Sequence, residues 1–201
     1  ETLSSIEECH AAVRGASVTG LPIVLTLSIE TNGRTMMGIT PSDLVQLQDD
    51  LCTPLAAYGT NCGLGAAEVI AGIINMKKAA DLANVKPILV AKGNCGIPEW
   101  IDGKICYSGT PELMAIYTKM AIDSGARIIG GCCGTSPKHV AEMRKVIDSH
   151  EKGDTPDLAR IESELGVITS GAKAQMGGDL TIAGGAAGPG HKASGRSRRR
   201  R

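Results

Sequence analysis

The chain has 201 residues, 42% hydrophobic but only 2% aromatic, with no Phe, so its core is aliphatic and its length allows one ordinary domain with a tail. Formal charge is zero, yet six basic residues and no acid lie from Lys192 onward, leaving 15 basic against 21 acidic residues on the body. A basic terminus on an acidic body excludes a basic domain, and no apolar run approaches the roughly 20 residues of a membrane-spanning helix.

In chain order, Ile6, Cys9 and Val13 share a helical face, preceded by Ser4 and Ser5 with Glu7 and Glu8 three residues on, which predicts a capping box. The run "LPIVLTLSI" (21–29) predicts a buried strand ending in turn-prone "ETNGR". Thr40-Pro41 then opens a helix with Leu44, Leu47 and Leu51 on one stripe. "AAYGTNC" (56–62) is the second strand, and Ile70, Ile73 and Ile74 mark the next helix. "KPILVAKGN" (86–94) is the third strand, followed by Thr110-Pro111 and a stripe of Leu113, Ile116, Tyr117 and Met120. "ARIIGG" (126–131) is the fourth, before Ser136-Pro137 and Val140, Met143 and Ile147. Short, little-alternated strands spaced by helices predict a parallel sheet buried on both faces.

The fold class is therefore α/β, as an open doubly wound sheet or a closed (β/α)8 TIM barrel. Four strands make half a barrel, whose raw edges would be apolar and unpaired. The organisation predicted is a βα body over 1–150, a short helical extension over 151–169 carrying Leu158, Ile161 and Leu165, and a Gly/Ala/Arg-rich disordered tail over 170–201.

In either architecture function sits at the carboxyl ends of the strands, and there the sequence puts Cys62, Asn94, Cys95, Cys132 and Cys133. Seven cysteines in a chain too large to need disulfide staples predict reduced thiols in a cytoplasmic protein. Zn²⁺ favours thiolates, and a catalytic site keeps three protein ligands and one open position. Adjacent Cys132 and Cys133 reach one ion only if the backbone leaves strand geometry, and Gly130, Gly131 and Gly134 would allow that. On spacing alone, buried small hydrophobes and a redox or vicinal disulfide site stay open beside a metal.

"GTNCGLG" followed by "GGCCGTSP" resembles the signature of the zinc-dependent homocysteine S-methyltransferases, which include betaine–homocysteine methyltransferases and the homocysteine module of cobalamin-dependent methionine synthase. The resemblance runs over residues 1–147, through "ETLSSIEE", "GRTMMGITP" and "KGNCGIP", where that family typically has Asn-Ala-Gly. It implies a (β/α)8 barrel entered at the end of its fourth strand, with Cys62, Cys132 and Cys133 as the zinc ligands. It further implies that Glu1 helps hold the amino group of homocysteine and that Asn94 contacts substrate. Read alone, Glu1 is a solvated terminal acid and Asn94 a turn former.

The chemistry implied is methyl transfer to a thiol. A free thiol with a pKa of about 8.5 is mostly protonated near neutrality, and a zinc-bound one is not. The donor needs a good leaving group: a quaternary nitrogen, a sulfonium or a cobalt-bound methyl. The sulfonium-using branch typically has Arg where this chain has Gly134, so glycine betaine is the donor favoured, with a related onium compound as substitute. A trimethylammonium cage needs aromatics, and only Tyr58, Tyr107, Tyr117 and Trp100 are available. The alternative enzyme reading is a homocysteine-activating module or subunit of a cobalamin-dependent system.

Cys95 ends the strand between those bearing the implied zinc ligands and is either an inert small residue or an oxidation-sensitive neighbour. Cys9, Cys52 and Cys106 read as structural, and His10, His139, His150 and His191 receive no role. The terminal "GRSRRRR" carries a non-enzymatic alternative, a metal- or redox-binding barrel relative that binds RNA through phosphate charge. No interleaved aromatic supports nucleic acid as a partner, and a homo-oligomer stays open.

Overall fold

A computed structural model describes residues 1–96 and 98–179. The chain opens on helix α1 (Ile6–Ser17), whose N-cap Ser5 accepts from the Glu8 amide while the Glu8 carboxylate accepts from the amides of Ser5 and Ser4. Three strand–helix units follow: β1 (Val24–Leu27) with α2 (Pro41–Leu47), β2 (Ala57–Cys62) with α3 (Ala66–Leu82), and β3 (Leu89–Gly93) with α4 (Pro111–Asp123). The last unit pairs β6 (Ala126–Gly131) with α5 (Pro137–Ser149), and between β3 and α4 lies a hairpin of β4 (Pro98–Ile101) and β5 (Lys104–Tyr107). Strand order is β1-β2-β3-β6, all parallel, as the apolar runs predicted.

The hydroxyl–proline helix starts behave as read. Thr40 accepts from the Asp43 amide and Thr110 from the Leu113 amide, while proline occupies a position where a missing N–H costs nothing. One stripe is cut short: α2 ends at Leu47, a single 3-10 turn follows, and Leu51 lies beyond it, half-buried.

The core is the outer face of the sheet under α3 and α4. Leu27, Ile29, Leu89 and Ala91 meet Ile70, Ile73, Met76, Tyr117 and Met120, all essentially inaccessible. Each such side chain contributes roughly 1.5–3 kcal/mol on burial. Helix α3 is buried on most of its circumference because α2, α4 and two further helices also pack on it. By contrast α5 packs on α4 and β6 and leaves Val140 52% exposed. Ile128 of β6 is likewise open, and β6 has no further strand neighbour among the described residues, so this edge is apolar and bare. At the other edge Leu3 bridges Leu27 in parallel, its N–H donating to Thr26 and its carbonyl accepting from Ser28.

The hairpin is absent from the chain-order reading above. Its turn, Asp102-Gly103, has positive φ at both residues, 48° and 75°, which fits the two-residue turn preferred between twisted strands. Its signal stood in "WIDGKIC", an Asp-Gly pair between short apolar runs.

Helix α6 (Leu158–Leu165) is the predicted extension, capped by Asp157 and burying Ile161. The expectation of disorder from residue 170 is corrected at its start, because α7 (Ser170–Met176) is a helix. Small residues here permit close approach. A Cβ on Gly171 would lie 2.4 Å from that of Asn32, and one on Gly33 would lie 2.9 Å from the Ala172 backbone. Gln175 donates to the Asn32 carbonyl, Asn32 to Thr169, and Lys173 pairs with Glu162. The arginine run and the rest of the expected tail, residues 180–201, lie outside the described residues. Among the described residues no helix is long and apolar enough to cross a membrane.

Candidate metal centre

Strands β2, β3 and β6 end level, with Cys62, Gly93 and Gly131 in register. Just past that line the backbone turns sharply. Cys62 itself has φ +61°, a conformation uncommon for a non-glycine residue and often found at functional sites. Gly63 follows at φ +64°, packed so tightly that a Cβ would fall 2.1 Å from the Ile29 carbonyl oxygen. These two turns swing the Cys62 thiol off its strand and towards the other loop.

After β6 the glycines act differently from the sequence-based expectation. Gly130 and Gly131 stay in the strand, and the space a Gly131 side chain would fill is taken by Thr135, whose Oγ1 would lie 2.2 Å from that Cβ. Only Gly134 uses left-handed freedom, at φ +76°, and the Tyr107 ring occupies the position of its missing Cβ at 2.5 Å. The turn closes with Thr135 N–H on the Cys132 carbonyl.

These bends bring three sulfurs together. Sγ of Cys62 lies 3.9 Å from Sγ of Cys133, and the ligand atoms of Cys62, Cys132 and Cys133 lie within 4.8 Å of one another. A tetrahedral zinc with bonds of about 2.3 Å needs sulfurs about 3.8 Å apart. The donor set therefore fits zinc in chemistry and in spacing. Cys62 and Cys132 are half-buried and Cys133 is exposed, so the cluster is open on one side. Burial, and then the neighbouring Cys132, push the Cys62 thiol up to about 11. Without a cation the Cys62 thiol resists ionisation.

Neighbouring amides hold the thiols. Asn61, fully buried, turns its Nδ2 towards the Cys132 sulfur at 3.7 Å, while its Oδ1 accepts from Thr26 Oγ1 at 2.6 Å and the Thr2 amide at 2.8 Å. Sequence reading passed over Asn61, although an asparagine inside a buried strand beside a ligand was the available signal. Asn94, expected to touch substrate, is 2% exposed. Its Oδ1 accepts from the Cys133 amide at 3.1 Å and its Nδ2 donates to the Gly63 carbonyl at 2.9 Å.

Glu1 lies beside the end of β1, with its carboxylate against the Lys92 ammonium, whose hydrogen bond and charge hold it below the usual carboxylate range. Lys92 is level with Asn61 across β2 and β3 and was not singled out from the sequence. Cys95 is fully buried, donates to the Gly109 carbonyl and meets Nε2 of His139, and burial pushes its thiol up. Of the two readings of Cys95, that enclosure favours the inert small residue. His139, given no role above, accepts the Ser136 amide on Nδ1 and so caps α5. Of the aromatics, Tyr58 and Tyr117 are buried in the core, while the hairpin carries exposed Trp100 and half-buried Tyr107.

Comparison with known proteins bears directly on this arrangement. A family model described as homocysteine S-methyltransferase matches residues 1–147. Betaine–homocysteine S-methyltransferase 1 of Danio rerio is 27% identical over 176 residues, covering 80% of this chain and 42% of the relative. Its Rattus norvegicus counterpart is 27% identical over 179 residues, covering 83% of this chain and 43% of the relative. The chain thus spans less than half the length of these curated relatives. Among solved structures, the apo homocysteine methyltransferase MmuM of Escherichia coli superposes with a TM-score of 0.54 at 22% identity, over 73% of this chain and 47% of that one, a likeness of fold.

Proposed function

Because the chain belongs to the homocysteine S-methyltransferase family, we propose that it carries the thiol-activating part of an enzyme that moves a methyl group from an onium donor to homocysteine, giving methionine. The observation that carries this reading is the convergence of Cys62, Cys132 and Cys133 from two separate strand ends. On this reading residues 1–150 form the second half of a (β/α)8 barrel, 151–169 a helical extension, and the open side of the sulfur cluster faces the barrel mouth. A reduced cytoplasmic setting keeps the three thiols free to act as ligands.

Zinc held by Cys62, Cys132 and Cys133 would supply a Lewis acid that keeps an incoming thiol ionised at neutral pH. The chain's own residues do the rest. Asn61 orients the Cys132 sulfur through its Nδ2. Glu1 offers a carboxylate to the substrate ammonium, exchanging its contact with Lys92 for the ligand. Lys92, so released, offers its charge to a substrate carboxylate.

Glycine betaine is the donor we favour. Both relatives above are named for betaine, and Gly134 leaves room for the Tyr107 ring beside Cys133. An aromatic face there suits a quaternary ammonium, and an arginine at 134 would displace it.

The test is metal content. Purified protein should carry one zinc per chain, and Cys62→Ala should carry none while keeping its thermal transition. Wild-type protein that stays zinc-free after purification in zinc would overturn the proposal. Methyl transfer from betaine without added cobalamin, assayed on the full-length protein, separates this reading from the cobalamin-dependent one.

A further inference from the structure

We infer that the cleft between α2, α3 and α7 is a binding site for a small neutral molecule that carries a primary amide on an apolar body. The inference goes beyond the methyl-transfer reading and does not rest on the metal.

The cleft has a volume of about 440 Å³, which lies within the range of small-molecule pockets. Val45, Ala79 and Leu82 give it apolar walls, and Leu82 is exposed although it is a large aliphatic side chain. Two amide side chains line the same space. Asn75 of α3 is 6% exposed, and neither its Oδ1 nor its Nδ2 has a partner among the described residues. Gln175 of α7 is 4% exposed. Its Nε2 donates to the Asn32 carbonyl at 3.1 Å, which leaves its Oε1 without a partner. Asparagine is a poor helix former, and a buried polar group left unpaired keeps its full desolvation penalty. A leucine at 75 would serve the packing of α3 better.

The unanswered atoms define what would answer them. Two are acceptors, Oδ1 of Asn75 and Oε1 of Gln175, and one is a donor, Nδ2 of Asn75. A primary amide carries the complement, two N–H donors on one nitrogen and a carbonyl acceptor. A carboxylate would set its oxygens against two acceptors, and an ammonium would leave the Asn75 donor unmet. Lys78, the one charged side chain lining the cleft among the described residues, already donates to the Met176 carbonyl at 2.5 Å. The ligand is therefore neutral, and its apolar body covers Leu82.

Benzamide is the probe, an apolar ring bearing one primary amide. Titrated against the full chain by ligand-observed NMR, it should bind saturably at one site, and benzoate at the same concentrations should not. Asn75→Leu should weaken benzamide about tenfold, because it removes a donor and an acceptor. Its thermal transition should stay at or above that of wild type, since an apolar side chain of similar shape replaces two unpaired atoms. Gln175→Met keeps the bulk, loses one acceptor and should weaken benzamide about threefold to tenfold. It decides the matter if the Asn75 variant does not fold. Equal binding of benzoate, unchanged benzamide affinity in both variants, or no saturable binding to the folded full chain would each overturn the inference. A cleft that other residues of the chain already fill falls under the last outcome. Zinc content should be the same in wild type and both variants, so the result leaves the reading of the three cysteines untouched.

Discussion

At the amino ends of the strands, Asp123 closes α4 with a side chain only 2% exposed. Its carboxylate accepts from Nε2 of His150 and from the Gly153 amide, both at 2.8 Å, and Arg160 stands 3.6 Å away. At the carboxyl ends, Cys62, Cys132 and Cys133 also converge, to within 4.8 Å, but on one another and on an open side. The lower cluster is satisfied inside the chain and is a structural knot. The upper one gathers like donors that improve only when a cation joins them. Space alone does not mark a site: a cleft of about 530 Å³ near the amino ends, lined by Val45, Leu55, Tyr58 and Pro87 among others, holds no metal-ligating group of three among the described residues. A site is recognised by donors that remain unanswered.

The contrast is broken most directly from below. Asp123→Ala should cost about 3 kcal/mol in denaturant unfolding, because it strands a half-buried His150 and the Gly153 amide, and should leave zinc content unchanged. Burial pushes this carboxyl up, but His150, Gly153 and Arg160 outweigh it and hold the folded value below the usual carboxylate range. Stability from a lowered carboxyl is present above the unfolded pKa of about 3.9 and is lost as pH falls through the folded value. The difference between wild type and variant should therefore persist at neutral pH and vanish only in acid. A loss of zinc in Asp123→Ala would show that the two ends are not independent.

From above, the expected effect is a slope. Cys62, raised to about 11, must shed its proton to enter a zinc complex. Apparent zinc affinity should then rise about tenfold per pH unit for this thiol alone between about pH 6 and 8. Chelator competition across that range checks it, and a flat profile would remove thiolate ligation by all three cysteines.

The smallest effect sharpens the comparison at a backbone site. Asn84 ends α3 with φ +54°, its amide on Asp81 and the Val85 amide on Ala80, a Schellman motif at the lower end. Asn84→Gly relieves a left-handed residue whose side chain has no hydrogen-bond partner among the described residues, and should stabilise by about 0.5 kcal/mol. Gly63, equally left-handed, tolerates no such exchange, since any side chain there meets the Ile29 carbonyl. Thermal unfolding of Asn84→Gly reports the first. A destabilised variant would mean that Asn84 holds more than its turn.

Much of this was legible before any fold was known. Capping is decided within four residues, so Ser5, Thr40 and Thr110 could be read directly, and the four parallel strands followed from their apolar runs. The sulfur cluster was legible through motif resemblance, while spacing alone left it among alternatives. The β4–β5 hairpin was missed although its Asp-Gly turn stood in plain view. Helix α7 was misjudged because small residues read as too poor to bury, when here they let backbones approach. The role of Lys92 had no local signal, since its partner Glu1 lies 91 residues away in the chain, whereas Asn61 stood beside a ligand in a buried strand and His139 caps through Ser136, three residues before it.

By itself the sequence determined the elements, their caps, their order and the residue types able to hold a soft cation, because each depends on chemistry between near neighbours. Tertiary structure alone decided that β3 would stand between β2 and β6, and hence that the Asn94 side chain would reach the Gly63 carbonyl on one side and the Cys133 amide on the other. The physical reason is that a side-chain hydrogen bond acts over about 3 Å, and only strand order decides which distant groups come within that reach.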